Sequence, residues 1–150
     1  MARIRHIALH TPDPAKTAGF YKEVFGLQEL HRTPRDSGEE DGWDSSTVVL
    51  SDGYIVFAIL KYGSEYAPNM GEGPSTVEGV HHIGFYVDDI DETVAALEGA
   101  GGTECPGSSP PSFFKYKGPD GLMIDITKRG WDEIIKARTQ LLHAVPAPTD

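Results

Sequence analysis

The chain reads as one α+β unit built from two βαβββ repeats. Three observations predict this: a strand motif that occurs twice, a helix signal directly after each copy, and three short strand-like runs after each helix. The first copy is Arg5-His6-Ile7-Ala8-Leu9-His10-Thr11-Pro12-Asp13. The second is His81-His82-Ile83-Gly84-Phe85-Tyr86-Val87-Asp88-Asp89. Each is an apolar run that opens on a His-Ile pair and closes on a turn containing Asp.

In the first repeat Asp13 is a good N-cap and Pro14 a good first helical residue. Ala18, Tyr21 and Phe25 follow at helical spacing, and Gly26 is the stop. In the second repeat Asp89, with Glu92 three residues on, resembles a capping box; Ile90, Val94 and Leu97 share a face, and Gly99 ends the helix. The strands expected next are 27–32, 47–50 and 54–60 in the first repeat. In the second they are 103–105, 113–117 and 122–127. Ser51-Asp52-Gly53 and Pro119-Asp120-Gly121 supply matching turns before the last strands.

Module 1 is expected over about 1–62 and module 2 over about 80–128. Residues 63–79, rich in Gly, Pro, Ser and Glu, read as a linker. A terminal helix is expected over about 131–143, with Trp131, Ile134, Ile135, Arg138 and Leu142 on one face, followed by a loose tail at 145–150.

Composition sets the partners. Lys and Arg number 13 against 23 Asp and Glu, a net charge of −10, which argues against nucleic acid or an anionic membrane as the main partner. One cysteine, Cys105, excludes both an internal disulfide and a cysteine zinc cluster. No apolar run approaches a membrane span, and the first residues enter a strand pattern with no signal-peptide core. The expectation is a cytoplasmic protein acting on a small molecule.

Alternation assigns the strand faces. Ile7, Leu9, Ile83, Phe85, Val87, Leu122, Ile124 and Ile126 go under the helices. The opposite face carries His6, Ala8, His82, Gly84, Tyr86, Met123, Asp125 and Thr127. A lone histidine at a strand start is usually a surface residue. Two at equivalent points of a repeat, with Asp125 on the closing strand and small residues beside them, point instead to a metal. The two-His-one-carboxylate set suits Fe²⁺, Mn²⁺, Co²⁺, Ni²⁺ or Zn²⁺. His81 is expected to point under the helix, His10 and His31 to sit at strand ends, and His143 at the surface.

Arg5–Leu9, Phe20–Leu27, His82–Ile90 and Gly118–Ile126 together resemble the vicinal oxygen chelate superfamily. That superfamily includes glyoxalase I, extradiol dioxygenases, methylmalonyl-CoA epimerase, and fosfomycin and bleomycin resistance proteins. The resemblance implies two modules forming a cupped mixed sheet with a metal inside. It also implies a homodimer and metal positions on the first and last strands of each module. Here those are His6, His82 and Asp125. The fourth aligns with Phe57, counted from Gly53 as Asp125 is from Gly121, or with Ala58 if the register slips by one; neither binds metal. A cavity-facing Phe57 would give an apolar wall suited to a flat aromatic substrate.

Three ligands match the triad of the dioxygenase branch. An iron-dependent dioxygenase acting on a bidentate substrate therefore ranks first, with Tyr86 and Tyr116 as inward candidates to hydrogen-bond the substrate. A glyoxalase-type lyase, isomerase or epimerase is the second reading. A non-catalytic drug-binding protein is the third. Residues 33–46 are expected to form a lid or a dimer contact, and Arg35 and Lys115 to be solvated rather than bound to a substrate carboxylate.

Overall fold

The computed structural model describes residues 2–32, 46–61, 78–105, 114–119, 121–128, 131, 133, 135 and 136. Its elements run β1 (Arg3–His10), α1 (Pro14–Phe25), β2 (Gln28–Arg32), β3 (Ser46–Ser51), β4 (Val56–Lys61), β5 (Gly79–Tyr86), α2 (Ile90–Gly99), β6 (Thr103–Glu104), β7 (Phe114–Lys117) and β8 (Met123–Thr127). The repeat is therefore real in three dimensions: each half is βαβββ. The expected linker and the segment 33–46 fall almost wholly outside the described residues, as do Arg35 and His143. Of the terminal helix, Trp131, Glu133, Ile135 and Lys136 are described, and they are helical.

Both helices start as their sequences dictate. Asp13 accepts a hydrogen bond from the Lys16 N–H at 3.1 Å, and Asp89 accepts one from the Glu92 N–H at 2.9 Å. Gly26 closes α1 at φ 69°, donating its N–H to the Lys22 carbonyl at 3.0 Å. In α2, Gly99 remains helical and the left-handed turn falls on Gly101, at φ 89°.

The eight strands form one mixed sheet in the order β2-β3-β4-β1-β5-β8-β7-β6. The two modules meet where β1 and β5 pair antiparallel, and each of these first strands pairs in parallel with the last strand of its own module. Each helix covers its own half of one face. Ala18 of α1 packs with Val48, Leu50 and Ile59, joined by Tyr21, Leu27 and Phe57. Under α2, Val87, Tyr116 and Ile126 pack with Phe85, Val94, Leu97 and Ile124.

The second face carries no repeat helix. Its module 1 half is apolar: Ala8, Ala58 and Leu60 pack together, with Val49 against them. Trp131 and Ile135, four residues apart and so on one helix face, close over Leu30 and Val56, with Tyr86 alongside. Among the described residues, no helix is long and apolar enough to cross a membrane.

Trp131 fits because position 84 has no side chain. A Cβ on Gly84 would lie only 2.7 Å from the His6 Cβ and closer still to the six-membered ring of Trp131. Gly84→Ala is therefore expected to destabilise the fold by about 2 kcal/mol, as overpacking does. Gly99→Ala, whose Cβ meets nothing within 4 Å, is expected to be neutral or stabilising by up to about 1 kcal/mol. Urea denaturation of both variants checks this. Equal stabilities would mean that Trp131 yields to the methyl group.

Candidate metal centre

His6, His82 and Asp125 come together on the second face at the seam between modules, and all three are buried. The register brings them there. His6 lies beside Gly84, Ala8 beside His82, and Gly84 beside Asp125. One ligand atom from each residue lies within 4.8 Å of the other two.

A β-bulge precedes each histidine. Between Ile4 and His6 the pairing with β5 takes up one extra residue, Arg5. Between Ala8 and Leu9 it takes up another, His81, on the facing strand. Bulges re-aim the neighbouring side chain, and these two occupy equivalent points of the repeat.

The hydrogen bonds fix what the histidines present. The His6 Nδ1 lies 3.1 Å from the Val56 carbonyl. A carbonyl only accepts, so the His6 proton is on Nδ1 and a bare Nε2 faces inward. There it meets the His82 Nε2 at 3.0 Å, which in turn lies 3.2 Å from the Asp125 Oδ2. Three acceptor positions converge on one region, and something positive has to sit among them: a proton on the His82 Nε2 or a divalent cation in its place. With a cation there, the His82 proton moves to Nδ1, where the His81 Nδ1 stands 2.8 Å away to accept it. The donor set fits a divalent metal, with both imidazoles held from behind.

Electrostatics agree with that reading. Burial first, then the charge of His82, lowers the His6 imidazole from 6.5 to about 4. Burial pushes Asp125 up, but the His82 hydrogen bond and the Lys115 ammonium outweigh it, so its carboxyl stays well below the usual carboxylate range. Lys115 donates to the Asp125 Oδ1 at 2.6 Å. On the other side the His6 ring stacks on the Trp131 indole, with centroids 5.1 Å apart and planes at 15°.

Several expectations change. Lys115 is not solvated; it is half-buried, as the β7 partner of Asp125 and hydrogen-bonded to it. Tyr116 pairs with Ile124 and so lies on the helix side, its hydroxyl donating to the Glu98 carboxylate at 3.2 Å, and it does not face the site. Tyr86 stays on the site's face, beside Trp131 and Val56. His81 turns to His82 and not under the helix, because of the bulge.

Phe57 does not face the site. It packs under α1, edge-on to Tyr21 with centroids 5.0 Å apart. The residue equivalent to Asp125 is Ala58: it pairs with Ala8 as Asp125 pairs with Gly84. The turn before β4 is one residue longer than the turn before β8. Asp52 holds the longer turn by accepting from the N–H groups of both Tyr54 and Ile55, at 2.8 and 2.7 Å. The fourth corner is thus a buried methyl group.

Residues 3–126 match the model of the Glyoxalase/Bleomycin resistance protein/Dioxygenase superfamily. The chain belongs to that superfamily. It is 29% identical over 136 residues to the uncharacterized protein YaeR of Escherichia coli, covering 84% of this chain and 95% of that one. It is 31% identical over 133 residues to a probable lactoylglutathione lyase of Vibrio parahaemolyticus, covering 83% and 88%. A mutant of 4-hydroxymandelate synthase from Streptomyces coelicolor shares the fold, with a TM-score of 0.61 at 16% identity, covering 83% of this chain and 36% of that one.

The His6 shift sets a pH dependence. The unfolded imidazole takes up a proton near 6.5, the folded one only near 4. Stability is therefore full above the unfolded value and is lost as pH falls from about 6.5 toward 4, by roughly 3 kcal/mol from His6 alone. His81, lowered to about 4 chiefly by burial, acts in the same direction. Urea midpoints of chelator-treated protein are expected to fall across this window, and His6→Gln to flatten the slope. A wild-type profile level between pH 4.5 and 7 would contradict the buried neutral imidazole (about 2.5 units of range).

Proposed function

We propose that the chain is a metal-dependent enzyme in which His6, His82 and Asp125 hold one divalent cation, Fe²⁺ ahead of Mn²⁺, Ni²⁺, Co²⁺ and Zn²⁺. Its reaction is of the dioxygenase type, on a small bidentate substrate with an aromatic or otherwise apolar body. The supporting observation is the corner count: three donor atoms within 4.8 Å of one another and a methyl group, Ala58, where a fourth ligand would stand. A cation held by His6, His82 and Asp125 would supply Lewis-acid stabilisation of a substrate's developing oxyanions and would keep positions free for exogenous oxygen ligands.

The chain's own residues do the rest. Val56 and His81 set the protons on the two imidazoles. Ala8, Ala58, Leu60 and Trp131 make the module 1 side of the site apolar, which suits a carbon skeleton more than a charged group. Tyr86 is the candidate for a hydrogen bond to substrate, a role that Tyr116 cannot share from the helix side.

A glyoxalase-type lyase, isomerase or epimerase is the second reading. It is favoured by the 31% identity to a probable lactoylglutathione lyase. It needs a base beside the cation, and Asp125 is committed to His82 and Lys115.

Elemental analysis and paired assays test both readings. Wild type is expected to carry about one divalent ion per chain and His82→Ala almost none; equal metal in the two would remove the assignment. Oxygen uptake with a panel of catechols and lactoylglutathione formation are measured side by side with Fe²⁺, Mn²⁺, Ni²⁺ and Zn²⁺. Oxygen-dependent turnover is expected, without isomerase activity. Tyr86→Phe should lower it about tenfold, the worth of one good hydrogen bond. Ala58→Glu should tighten metal binding and suppress oxygen uptake. Ni²⁺- or Zn²⁺-dependent isomerisation by wild type would favour the second reading.

We further propose a homodimer. Phe20, Val24 and Phe25 leave an apolar strip on α1 that is 55%, 55% and 62% exposed, and among the described residues β2 and β6 are the edges of the sheet. Light scattering at micromolar concentration should give about twice the 16.3 kDa chain mass. A monomer mass would overturn this.

A further inference from the structure

Lys115 stands beside the candidate metal centre without being one of its three ligands. It comes from β7, directly beside Asp125 on β8, and its side chain is only 12% exposed. Its Nζ donates to Oδ1 of Asp125 at 2.6 Å, while Oδ2 faces the His82 Nε2 at 3.2 Å. The two carboxylate oxygens therefore have separate tasks. We propose that Lys115 is a positioning residue: it withholds Oδ1 so that Asp125 offers a cation Oδ2 alone, and its charge selects a doubly anionic, bidentate oxygen ligand. This rests on the metal reading given above.

Two physical arguments carry it. The first is coordination. A carboxylate binds a cation through one oxygen or through both, and in the second mode it fills two positions. With Oδ1 engaged by a short, charge-assisted hydrogen bond to Lys115, the one-oxygen mode through Oδ2 is favoured. Ala58 supplies no donor at the module 1 corner, so a cation held by the three ligands would keep room for one ligand's two oxygens.

The second is charge. His6 and His82 enter as neutral imidazoles. Asp125 and Lys115 cancel, so a divalent ion leaves the site with two net positive charges inside a chain whose total is −10. Opposite charge is worth most where water is excluded, and Asp125 and Lys115 are both largely excluded from it. A dianion with vicinal oxygens neutralises the site; a neutral or singly charged chelator does not. Without Lys115 one positive charge remains, and the preference for a dianion should fall.

Co²⁺ and oxalate are the probes. Co²⁺ reports coordination number through the intensity of its visible absorption, which weakens as ligands are added. Oxalate is the bidentate dianion, and acetohydroxamate the bidentate monoanion for comparison. Wild type, Lys115→Met and Lys115→Gln are each loaded with Co²⁺ after a thermal melt. Lys115→Met is expected to hold Co²⁺ at least as tightly as wild type. It should show a weaker band, because Oδ1 is released to chelate, and bind oxalate about tenfold or more weakly with little change for acetohydroxamate. Lys115→Gln keeps a donor for Oδ1 without the charge, so it should keep the wild-type band and still lose oxalate affinity; it also carries the test if the Met variant does not fold. Wild-type spectra and an unchanged ratio of oxalate to acetohydroxamate affinity in both variants would overturn the role of Lys115 while leaving the metal centre intact. Failure of wild type to bind Co²⁺ would overturn the metal reading and this proposal together.

Discussion

Three buried acceptor positions aimed at one another are the constraint around which this sheet is arranged. Two imidazole nitrogens and a carboxylate oxygen are unfavourable neighbours in a dry interior unless each has a partner, since an unpaired buried polar group costs roughly 1–3 kcal/mol. Each outward-facing ring nitrogen is therefore assigned, one to the Val56 carbonyl and one to His81. The remaining oxygen of Asp125 is assigned to Lys115. These supports come from β4, β5 and β7, so the centre ties both modules to the β1–β5 seam. Gly84 is small because the His6 side chain and the Trp131 indole need the space beside it.

The two halves share a fold but not a chemistry. At equivalent corners module 2 places Asp125 and module 1 places Ala58. Lys115 adds charge to the module 2 side, whereas Leu60, Val49 and Trp131 make the module 1 side apolar. A duplicated frame thus becomes an asymmetric site. On the proposed reading, oxygens meet the polar half and carbon meets the other.

Much of this was legible in the residues. The repeat, both N-caps and the packing of Phe85, Val87, Ile124 and Ile126 under α2 follow from local rules, and the structure keeps them; Leu122, expected beside them, precedes β8 and is exposed. Face alternation also brings His6, His82 and Asp125 to one side. The misplacements have a common cause: they depend on register, which a single residue shifts. Asp52 lengthens one turn, so Ala58 and not Phe57 takes the corner. Counting back from the Pro119–Gly121 turn pairs Lys115 with Asp125 and Tyr116 with Ile124, which would have put the lysine in the site and the tyrosine under α2. The bulge at His81 has no comparable local signal beyond the His-His pair itself, because it arises from pairing with β1, a strand more than 70 residues away.

Trp131 shows how a segment outside the repeat completes the site. Its indole stacks on His6 and lies over Gly84, while Ile135 packs beside it on Leu30 and Val56. A stacked ring fixes the plane of the imidazole, and the Val56 carbonyl fixes its rotation about that plane, so the His6 Nε2 has one direction left. Replacing the indole by a small side chain would leave the carbonyl bond in place but remove the planar restraint. Apolar bulk is also what excludes water from the module 1 side, and it is that exclusion, more than the charge of His82, that keeps the His6 imidazole neutral. The helix that follows the second module is therefore part of the electrostatics of the first.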